Sequence, residues 1–593
     1  MRSSPQRPWS KGLPSDQRTC LVAAIILIAV ACMCGVLVFG AGGQLWGSLT
    51  SVFRPEEPTS SAAWPADSAA LTVAVSPGMA PTFQELAGQF NRQEQRTPDG
   101  QTMQVQPLAL TPEKMVEQSL ATPSFQALAP DSSLWLNQLE RRWTALQGTA
   151  AGEEALLPIG DRRVSNPVRY ATSPIVIAAW ESVARELGWP ERPIGWQEVQ
   201  RKATQDPNFK WNHPSTGHAS GLLATLAEFY AGAGLTRGLT PEAATNPQTL
   251  EYVKAVESTV RFYGEGEDVI VARLAAEGRN FLDAFVAQEQ VVLAWNRSSQ
   301  GERLVAIYPA EGTLWADHPL ALLELGGPGE TAVTDNQRRT FQAFAQFLTS
   351  ADVQRQLLAA GYRPADLSVS LDGAGSPFVD TDAVDARQPY TTLQVPSAAV
   401  VEVVQNVWWY TKRPTNVILV VDTSGSMEGV KIERTQEALR AFVSHIRGEQ
   451  DQVGLVEFAT SLKRFEQLQP MNDQNRAALI EQIDGMQADG RTALIDALFE
   501  AYKYLQANGD TEAINAIVAM TDGQENQSAY GFSDLEQYMA EEQAVTVVVF
   551  TVAFGSDADE SLLQNVARAG NGQFRRADET DIEELYKIIS TYF

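Results

Sequence analysis

Cysteine is scarce in this 593-residue sequence, which contains only three. Cys20, Cys32 and Cys34 all lie in one apolar segment near the N-terminus, so no disulfide can cross-link the rest of the chain. Basic residues are also few, with 45 Lys and Arg against 72 Asp and Glu and a net charge of −27. Because a phosphate backbone requires clustered Lys and Arg, we expect no nucleic-acid partner.

Motifs for common catalytic chemistries are missing as well. The sequence has no P-loop, no Gly-x-Ser-x-Gly, no His-Glu-x-x-His and no Cys–His pair outside the N-terminal apolar segment. We therefore expect a binding protein rather than an enzyme. The chain is also too long for one hydrophobic core, and its length predicts three or four domains.

A long uncharged stretch, Cys20–Ala41, predicts a transmembrane helix, since a helix of that length spans about 33 Å. A signal peptide is the alternative, but its apolar core is usually shorter, about 7–15 residues. The stretch is preceded by four bases and one acid: Arg2, Arg7, Lys11, Arg18 and Asp16. Positive residues stay in the cytoplasm. The prediction is a cytoplasmic tail over 1–19, a single-pass cell-membrane anchor over 20–41, a linker over 42–69 and an extracellular bulk.

The region after the linker shows strands followed by turns and helices, which predicts an α/β fold. Leu71–Val75 is the first predicted strand, and it ends at Ser76 before a helical pattern begins. Three further strands are predicted, over Ser173–Trp180, Val291–Trp295 and Leu304–Tyr308. Turns of this kind place the N–H groups of a following helix where they can hold a ligand.

This region resembles the type 2 extracellular solute-binding proteins that supply ABC transporters. The residues that carry the resemblance are the Ser76 turn, Tyr308–Thr313, and the closing helices Arg338–Ser350 and Val353–Gly361 with Gly361-Tyr362-Arg363-Pro364. The resemblance covers about residues 71–365 and implies a domain over 70–400 whose two α/β lobes close on a ligand. It also implies that the chain crosses between the lobes near Ala171–Ser173 and again near Arg303–Tyr308.

Candidate residues for the ligand cleft each follow a predicted strand or begin a predicted helix. They are Ser76, Ser132 or Ser133, Ser173, Ser220 and Asn296. The alternative role for any one of these serines is to cap a helix or a turn. The resemblance implies a small polar or anionic solute as the ligand. His213 and His218 match no standard zinc spacing, so we expect a loop role for them.

The chain from 366 to 396 lacks helical periodicity and predicts a long connection, which a helix over Ser397–Tyr410 follows. Its aromatic end, Trp408-Trp409-Tyr410, is expected to pack at a domain interface because aromatic side chains bury large areas. From Pro414 onwards strands and helices alternate, which predicts a mostly parallel sheet with helices on both faces. Ligands bind such sheets at the carboxyl ends of the strands, beside the switch in strand order.

A buried strand, Val417–Val421, ends in Asp422-Thr423-Ser424-Gly425-Ser426, which places oxygen-bearing side chains at alternate positions. Crowded oxygens at a strand end suit a hard cation. With Thr492, and with Asp522 in Thr521-Asp522-Gly523, these residues match all five positions of a known metal-ion-dependent adhesion site. The chain from 413 to 593 therefore resembles the von Willebrand factor type A domain.

This second resemblance implies that Mg²⁺, or else Mn²⁺ or Ca²⁺, is held by five residues: Asp422, Ser424, Ser426, Thr492 and Asp522. It further implies that the metal attracts an acidic side chain of a protein partner. The alternative is that Asp422 and Asp522 only cap helices.

The sequence as a whole predicts an α/β protein. Its expected parts are a transmembrane helix, a two-lobed periplasmic-binding-protein-like domain and a Rossmann-like von Willebrand factor type A domain. The expected function is that of a membrane-anchored extracellular binding protein whose C-terminal module serves adhesion or protein interaction. An accessory substrate-binding component of an ABC-type transporter is the alternative.

Overall fold

The computed structural model describes residues 64–147, 162–206, 209–260, 263, 266–298, 301–327, 329–373, 375–379, 381–510, 513–541, 545, 547–570, 573–590 and 592–593. The predicted cytoplasmic tail, the predicted transmembrane helix and most of the predicted linker lie outside these residues. Within the described ranges, no helix is both long enough and apolar enough to cross a membrane.

The first folded region consists of strands and helices that alternate along the chain. Its strands are β1 (Ala70–Val75), β2 (Gln104–Ala109), β3 (Ala127–Ala129), β4 (Val164–Arg169), β5 (Ala171–Trp180), β6 (Trp211–Asn212), β7 (Ala284–Gln288), β8 (Leu304–Ile307), β9 (Trp315–Ala316), β10 (Pro319–Leu323) and β11 (Arg363–Pro364). Its helices are α1 (Ala80–Asn91), α2 (Pro112–Leu120), α3 (Ser133–Leu146), α4 (Glu181–Leu187), α5 (Trp196–Gln205), α6 (Ala219–Ala233), α7 (Pro241–Ala244), α8 (Pro247–Glu257), α9 (Glu267–Glu277), α10 (Glu289–Ser298), α11 (Asp335–Leu348) and α12 (Ala351–Ala359).

The first lobe is built on a sheet with the strand order β2-β1-β3-β10-β4. β1 runs parallel to β2 and β3, whereas β10 runs antiparallel to β3 and β4. α1 and α11 pack together beside this sheet, where the ring of Phe344 lies edge-to-face against Phe83 and Phe90, with centroids 5.4 and 5.2 Å away. The carboxyl ends of β1 and β3 carry Ser76 and Asp131, at the edge of the sheet where ligands of such folds bind.

The second lobe is organised around β5, whose side chains from Ile175 to Trp180 are all buried. β5 pairs in antiparallel fashion with β7, β8, β9 and β11, and β6 runs parallel to β7. On one face Trp180 lies edge-to-face against Trp295 of α10, with ring centroids 5.6 Å apart. The predicted α/β class, with two lobes built on mixed sheets, agrees with this arrangement.

The chain crosses between the lobes at two points that only partly match the prediction. β4 belongs to the first sheet and β5 to the second, so the first crossing falls at Tyr170, directly before the predicted Ala171–Ser173. The second crossing lies at 317–318, between β9 and β10. The predicted crossing near Arg303–Tyr308 is wrong, because β8 still pairs with Ile177–Trp180 of the second lobe.

The strand predicted over Val291–Trp295 is also wrong, since these residues lie within helix α10. Val291, Val292, Leu293 and Trp295 are all buried there. A buried strand and a buried helix can both contain an uninterrupted apolar run. Over five residues the spacing of apolar side chains cannot distinguish the two.

A single helix, α13 (Ala398–Thr411), joins the two halves of the chain. It packs against α3 of the first lobe and against α6, α7 and α8 of the second. Gln405 accepts a hydrogen bond of 2.8 Å from Gln138 of α3, and Trp408 lies edge-to-face on Tyr263, with centroids 4.9 Å apart. The predicted helix over Ser397–Tyr410 thus contacts both lobes at once.

The segment between α13 and the next strand is short and fixed. Lys412 is buried, and its Nζ lies 2.9 Å from Oδ1 of Asp451 in the C-terminal domain. The backbone N–H of Arg413 donates to the hydroxyl of Tyr263 over 3.2 Å. The segment 412–414 therefore contacts both domains.

The C-terminal domain continues the alternation of strands and helices. Its strands are β12 (Thr415–Asp422), β13 (Gln452–Phe458), β14 (Leu462–Pro470), β15 (Ile514–Thr521), β16 (Val547–Phe554) and β17 (Gln573–Ala577). Its helices are α14 (Val430–His445), α15 (Asp473–Asp484), α16 (Leu494–Asn508), α17 (Phe532–Ala540), α18 (Glu560–Ala569) and α19 (Ile582–Ser590), with a short 3-10 turn over Gly425–Met427.

These strands form one sheet in the order β14-β13-β12-β15-β16-β17, in which only the edge strand β14 is antiparallel. Alternate residues of β12 enter different cores, as the pleat requires. Val417, Leu419 and Val421 join the core on the side of α14, whereas Ile418 and Val420 join the core on the side of α16. Helices thus cover both faces, as predicted.

Candidate functional site

The switch in strand order lies between β12 and β15, and the candidate metal residues sit at the carboxyl ends of these two strands. Asp422 is the last residue of β12, and Asp522 follows the last residue of β15. Both aspartates are fully buried. Because β12 and β15 pair in register, with Val421 beside Met520, the two carboxylates come from positions far apart in the sequence to one edge of the sheet.

Asp422 is held by groups from both strands. Its Oδ1 accepts a hydrogen bond of 2.7 Å from the backbone N–H of Ser424, and its Oδ2 accepts one from the hydroxyl of Thr521. Burial raises the pKa of Asp422 to about 6, because the charged form has lost most of its water. The carboxylate is thus oriented before any ligand binds.

The two serines of the motif lie beside the second aspartate. Ser424 Oγ and Ser426 Oγ are 3.1 Å apart, and Ser426 donates a hydrogen bond of 2.7 Å to Oδ1 of Asp522. Ser426 is exposed, whereas Ser424 is buried. The cluster is therefore open to solvent on the side of Ser426.

Thr492 reaches the cluster from a third loop, the one that precedes α16. The Gly490 carbonyl in this loop accepts a 3.0 Å hydrogen bond from Gly425, which draws the loop onto the end of β12. A Cβ placed on Gly523 would lie 3.1 Å from Thr492 Oγ1, 3.5 Å from Ser426 Oγ and 3.9 Å from Asp422 Oδ2. Side-chain oxygens from three loops thus face one small space beside Gly523.

This donor set fits a hard divalent cation. Mg²⁺ and Ca²⁺ bind carboxylate, hydroxyl and water oxygens, and the cluster offers two carboxylates and three hydroxyls. Helix capping, the alternative role of the aspartates, uses one oxygen for each helix and does not require five donors to meet. The structure thus brings together all five residues predicted from the sequence.

One cation of the chain already lies at this site. The ammonium of Lys431, in the first turn of α14, forms an ion pair with Oδ2 of Asp522. This lysine was not predicted, although a base one helical turn beyond the motif could have been noticed. Its charge offsets part of the negative charge of the two buried aspartates.

Two acids that were not predicted come from opposite lobes of the candidate solute cleft, and Glu267 is buried whereas Asp131 is half-buried. Ser76 donates a hydrogen bond of 3.1 Å to Asp131, whose own N–H donates to Ser76 Oγ over 3.0 Å. In the second lobe, Glu267 accepts hydrogen bonds from Ser220 and, over 3.2 Å, from the N–H of Gln288. Two of the predicted serines therefore orient carboxylates, one in each lobe.

Burial determines the protonation of these two acids. It raises the pKa of Asp131 to about 6 and that of Glu267 to about 7. The Asp131 carboxylate is close enough to raise the pKa of Glu267 further by charge repulsion. Two acids that repel each other across a cleft favour a ligand that donates hydrogen bonds or carries positive charge.

The remaining predicted cleft residues differ in what they do. The backbone N–H of Ser133 donates to Asp317 over 2.7 Å, while Ser132 accepts from Leu134 and caps α3. Ser173 accepts a hydrogen bond from the N–H of Gln290 over 3.3 Å. Capping and turn formation, the alternative given above for the serines, thus describe Ser132 and Ser173.

Asn296 does not lie at a strand end, because the strand predicted before it is helix α10. Its amide donates to the carbonyl of Leu304 over 2.8 Å and accepts from the N–H of Leu304 over 2.9 Å. These bonds close the turn between α10 and β8, so Asn296 is engaged there rather than in the cleft.

His318 lies at the second crossing and contacts both lobes. Its backbone N–H donates to the carbonyl of Asp131 over 3.2 Å, and its Nε2 donates to Oε1 of Gln288 over 2.7 Å. Burial lowers the pKa of His318 to about 3, so the ring is neutral. Nothing in the local sequence distinguishes His318, since its role depends on which strands it separates.

The motif residues that carry the first resemblance stabilise the second lobe. Arg363 makes a two-pronged ion pair with Glu289, with distances of 2.7 and 2.6 Å, and the Tyr308 hydroxyl donates to the same carboxylate. Glu289 is fully buried. This network ties β11 to α10, so these residues serve the fold rather than the ligand.

Two family models match the chain. The von Willebrand factor type A domain matches residues 416–588. The model described as bacterial extracellular solute-binding protein matches residues 71–363.

Curated relatives match only in part. The inter-alpha-trypsin inhibitor heavy chain H4 of Homo sapiens is 29% identical over 175 residues, which are 28% of this chain and 19% of that protein. The heavy chain H2 of Sus scrofa is 25% identical over 189 residues, or 30% of this chain and 20% of that protein. The chain thus spans about a fifth of the length of the curated relatives it matches.

Solved structures similar to each half were also found. The sulfate-binding protein SubI from Mycobacterium tuberculosis is 15% identical, with a TM-score of 0.35, and the match covers 51% of this chain and 89% of that one. A von Willebrand factor type A protein from Catenulispora acidiphila is 20% identical, with a TM-score of 0.28, and covers 30% of this chain and 42% of that one.

Proposed function

We propose that this chain, in which a bacterial extracellular solute-binding domain is joined to a von Willebrand factor type A domain, is a two-site binding protein. It binds a small polar solute between its two lobes and an acidic group of a protein partner at a divalent metal in its C-terminal domain. Its role is binding and not catalysis.

The observation that carries the metal part is the convergence of five oxygen donors beside Gly523. Domains of the von Willebrand factor type A commonly bind a divalent metal at such a site. Asp422, Asp522 and the hydroxyls of Ser424, Ser426 and Thr492 would hold Mg²⁺, Mn²⁺ or Ca²⁺. The metal would supply a positive charge that attracts the carboxylate of a protein partner. The exposed side at Ser426 lets a partner reach it.

The solute part rests on Asp131 and Glu267, which face the cleft from opposite lobes. The resemblance implies either a polar or an anionic solute, and these two acids favour a polar solute. A ligand with several hydrogen-bond donors, or with a positive charge, would offset their mutual repulsion. An oxyanion would increase that repulsion.

The proposed location is the outer face of a cell membrane, with the chain anchored by the segment 20–41. The support is the uncharged length of that segment, the bases before it and the description of the solute-binding family as extracellular.

Transport is the second candidate function, in which the first domain delivers its solute to a permease. The two-lobed cleft favours it. The position of α13 across both lobes favours a sensing role instead, because closure of the lobes on a solute would displace this helix, which leads into the C-terminal domain. The two roles differ in coupling. If solute binding alters partner binding, then bound metal and acidic peptide must alter the affinity for the solute by the same factor. An affinity of the full chain for a solute that is equal with and without metal and peptide would therefore favour transport.

The test uses the full chain and an array of peptides that contain Asp or Glu. We expect binding in Mg²⁺, no binding after chelation, and no binding by the Asp422→Ala variant. Glu267→Gln serves as the matched control, because it removes a buried acid from the other domain. Peptide binding that persists unchanged in chelator would refute the metal part. A panel of small solutes, followed by thermal shift, tests the cleft independently.

A further inference from the structure

A buried cluster of three side chains lies in the second lobe and shares no residue with either site described above. His213 follows β6, Glu228 lies in α6, and Glu257 ends α8. All three are fully buried. One nitrogen or oxygen from each lies within 4.8 Å of the other two. Three elements of the fold thus deliver a histidine and two acids to one point.

The ring of His213 has a defined orientation. Its Nδ1 lies 2.7 Å from the carbonyl oxygen of Pro214, which can only accept, so Nδ1 carries a proton. Its Nε2 faces Oε2 of Glu257 at 3.3 Å. This is the arrangement of a metal-binding histidine, whose outer nitrogen donates to a backbone carbonyl while the inner nitrogen presents its lone pair.

Glu228 has no such partner. Neither of its carboxylate oxygens has a hydrogen-bond partner among the described residues, although the side chain is fully buried. Leaving a buried carboxylate without a partner is costly, and native structures avoid it by pairing the group or by placing a cation beside it. The described part of the chain thus supplies no hydrogen-bond donor to Glu228, and a cation between the three groups would provide its missing partner.

We propose that His213 Nε2 and the carboxylates of Glu228 and Glu257 bind a divalent transition-metal ion, of which zinc is the best fit. Imidazole nitrogen and carboxylate oxygen are both zinc ligands, and the ion would neutralise the two acids. Zinc bonds of about 2.0–2.1 Å in a tetrahedron place neighbouring ligands about 3.4 Å apart. The 3.3 Å between His213 and Glu257 matches that edge.

A shared proton is the competing occupant. A charged imidazole bonded to a carboxylate is expected at about 2.7–2.9 Å, which is shorter than the distance found. A proton on His213 would also leave Glu228 without a partner. The metal accounts for both observations with one ion.

The site would stabilise the joint between the domains. Glu257 Oε1 accepts a 2.6 Å hydrogen bond from the indole of Trp408 in α13, and its Oε2 accepts one of 2.9 Å from Tyr263. Tyr263 in turn accepts from the backbone of Arg413, just before β12. A metal that fixes Glu257 would thereby fix the end of α13.

The test measures zinc in the full chain carrying Asp422→Ala, which removes the other metal site. After dialysis against zinc and then buffer, we expect one zinc ion for each chain by mass spectrometry. Adding His213→Gln or Glu228→Gln should weaken zinc binding by more than about 100-fold. His445→Gln is the matched control, because this histidine lies in the C-terminal domain and should leave zinc binding unchanged.

Cobalt gives a readout that does not depend on how the variants fold. Co²⁺ added to the Asp422→Ala chain should produce the visible absorption of a tetrahedral ion, and Zn²⁺ should remove it. A chain that binds no zinc and shows no such absorption overturns the proposal. Equal zinc binding by the Glu228→Gln variant would also overturn it. A Glu228→Gln variant that melts higher, in a chain that binds no zinc, would identify the proton as the occupant.

Discussion

The candidate metal site of the C-terminal domain and the candidate solute cleft of the first domain each bring two acids close together, but they position them differently. Asp422 and Asp522 end adjacent strands of a single sheet, and the register of β12 and β15 fixes their separation. Asp131 and Glu267 belong to different lobes, so their separation depends on lobe closure. The first pair is therefore preorganised, whereas the separation of the second pair would change with any movement of the lobes.

Their surroundings differ in the same way. The candidate metal site has its own cation in Lys431 and side-chain oxygens from three loops. Asp131 and Glu267 have hydrogen bonds from serines and backbone N–H groups, and burial keeps their pKa values high. A change at the metal site should thus alter affinity for a cation, while a change in the cleft should alter stability and its dependence on pH.

The largest effect is expected from Asp422→Ala. The substitution removes a fully buried carboxylate from the metal site, so Mg²⁺ affinity should fall by more than about 100-fold. Isothermal titration of the full chain with Mg²⁺ measures this. Asp484→Asn, which changes an exposed acid of the same domain, should leave the affinity unchanged. Similar affinities for all three proteins would break the comparison, because the strand ends would then not be the binding site.

The second effect concerns the cleft and is a change in stability. Burial raises the pKa of Glu267 from 4.5 to about 7, so the folded state holds its proton more tightly than the unfolded state. That contribution is complete below pH 4.5 and is lost as the pH rises through about 7. Gln does not titrate, so the variant Glu267→Gln lacks this loss. Its free energy of unfolding relative to wild type should increase by on the order of 2 kcal/mol when the pH rises from 5 to 8.

Melting temperatures at the two pH values check this expectation. Glu251→Gln is the control, because Glu251 is exposed on α8 and should melt like wild type at both. A difference between Glu267→Gln and wild type that does not grow with pH would show that Glu267 is solvated. The contrast between the two sites would then disappear.

Gly523→Ala should fill the space that the metal requires. The added methyl carbon would lie 3.1 Å from Thr492 Oγ1, so this hydroxyl must move, and 3.5 Å from Ser426 Oγ, in ordinary contact. We expect Mg²⁺ affinity to fall about tenfold, with little change in melting temperature. Gly531→Ala is the control, since its nearest atom would be 3.6 Å away. Unchanged affinity in Gly523→Ala would place the metal elsewhere.

The smallest effect is expected from Lys431→Met, which removes the ammonium beside Asp522. Without this competing charge, Mg²⁺ affinity should rise about fivefold, and the gain should shrink at high salt. Lys503→Met changes a surface lysine paired with Glu500 and is the control. A loss of affinity in Lys431→Met would mean that the lysine orients Asp522 for the metal instead of competing with it.

Much of the C-terminal domain could be predicted from the sequence, because its information is local. A run of buried aliphatic residues ends in Asp422, and Ser424 and Ser426 follow in the same short motif. Thr492 lies in the loop before α16, and Asp522 follows the later strand β15. Lys431 is visible in the sequence as a base soon after the motif, but its contact with Asp522 was not predicted because that contact depends on the orientation of α14. No pattern of spacing encodes that orientation.

The first domain was predictable only in outline, for physical reasons that particular residues illustrate. The resemblance to solute-binding proteins implied a crossing near β8, yet β8 pairs with β5 inside the second lobe. The cleft acids Asp131 and Glu267 escaped prediction because they gain their partners only when distant strands meet. His213 was given a loop role for a similar reason, since its acidic neighbours come from α6 and α8.

Helix α13 gives the chain a defined path for mechanical load. Its 14 residues, about 21 Å long, lie across both lobes and end three residues before β12. If a partner held at Asp422 is pulled, tension passes along β12 through the clamped Lys412 into the helix. Trp408 and Gln405 then divide the load between the lobes. Traction at the C-terminal domain would thus reach both lobes of the first domain through one helix.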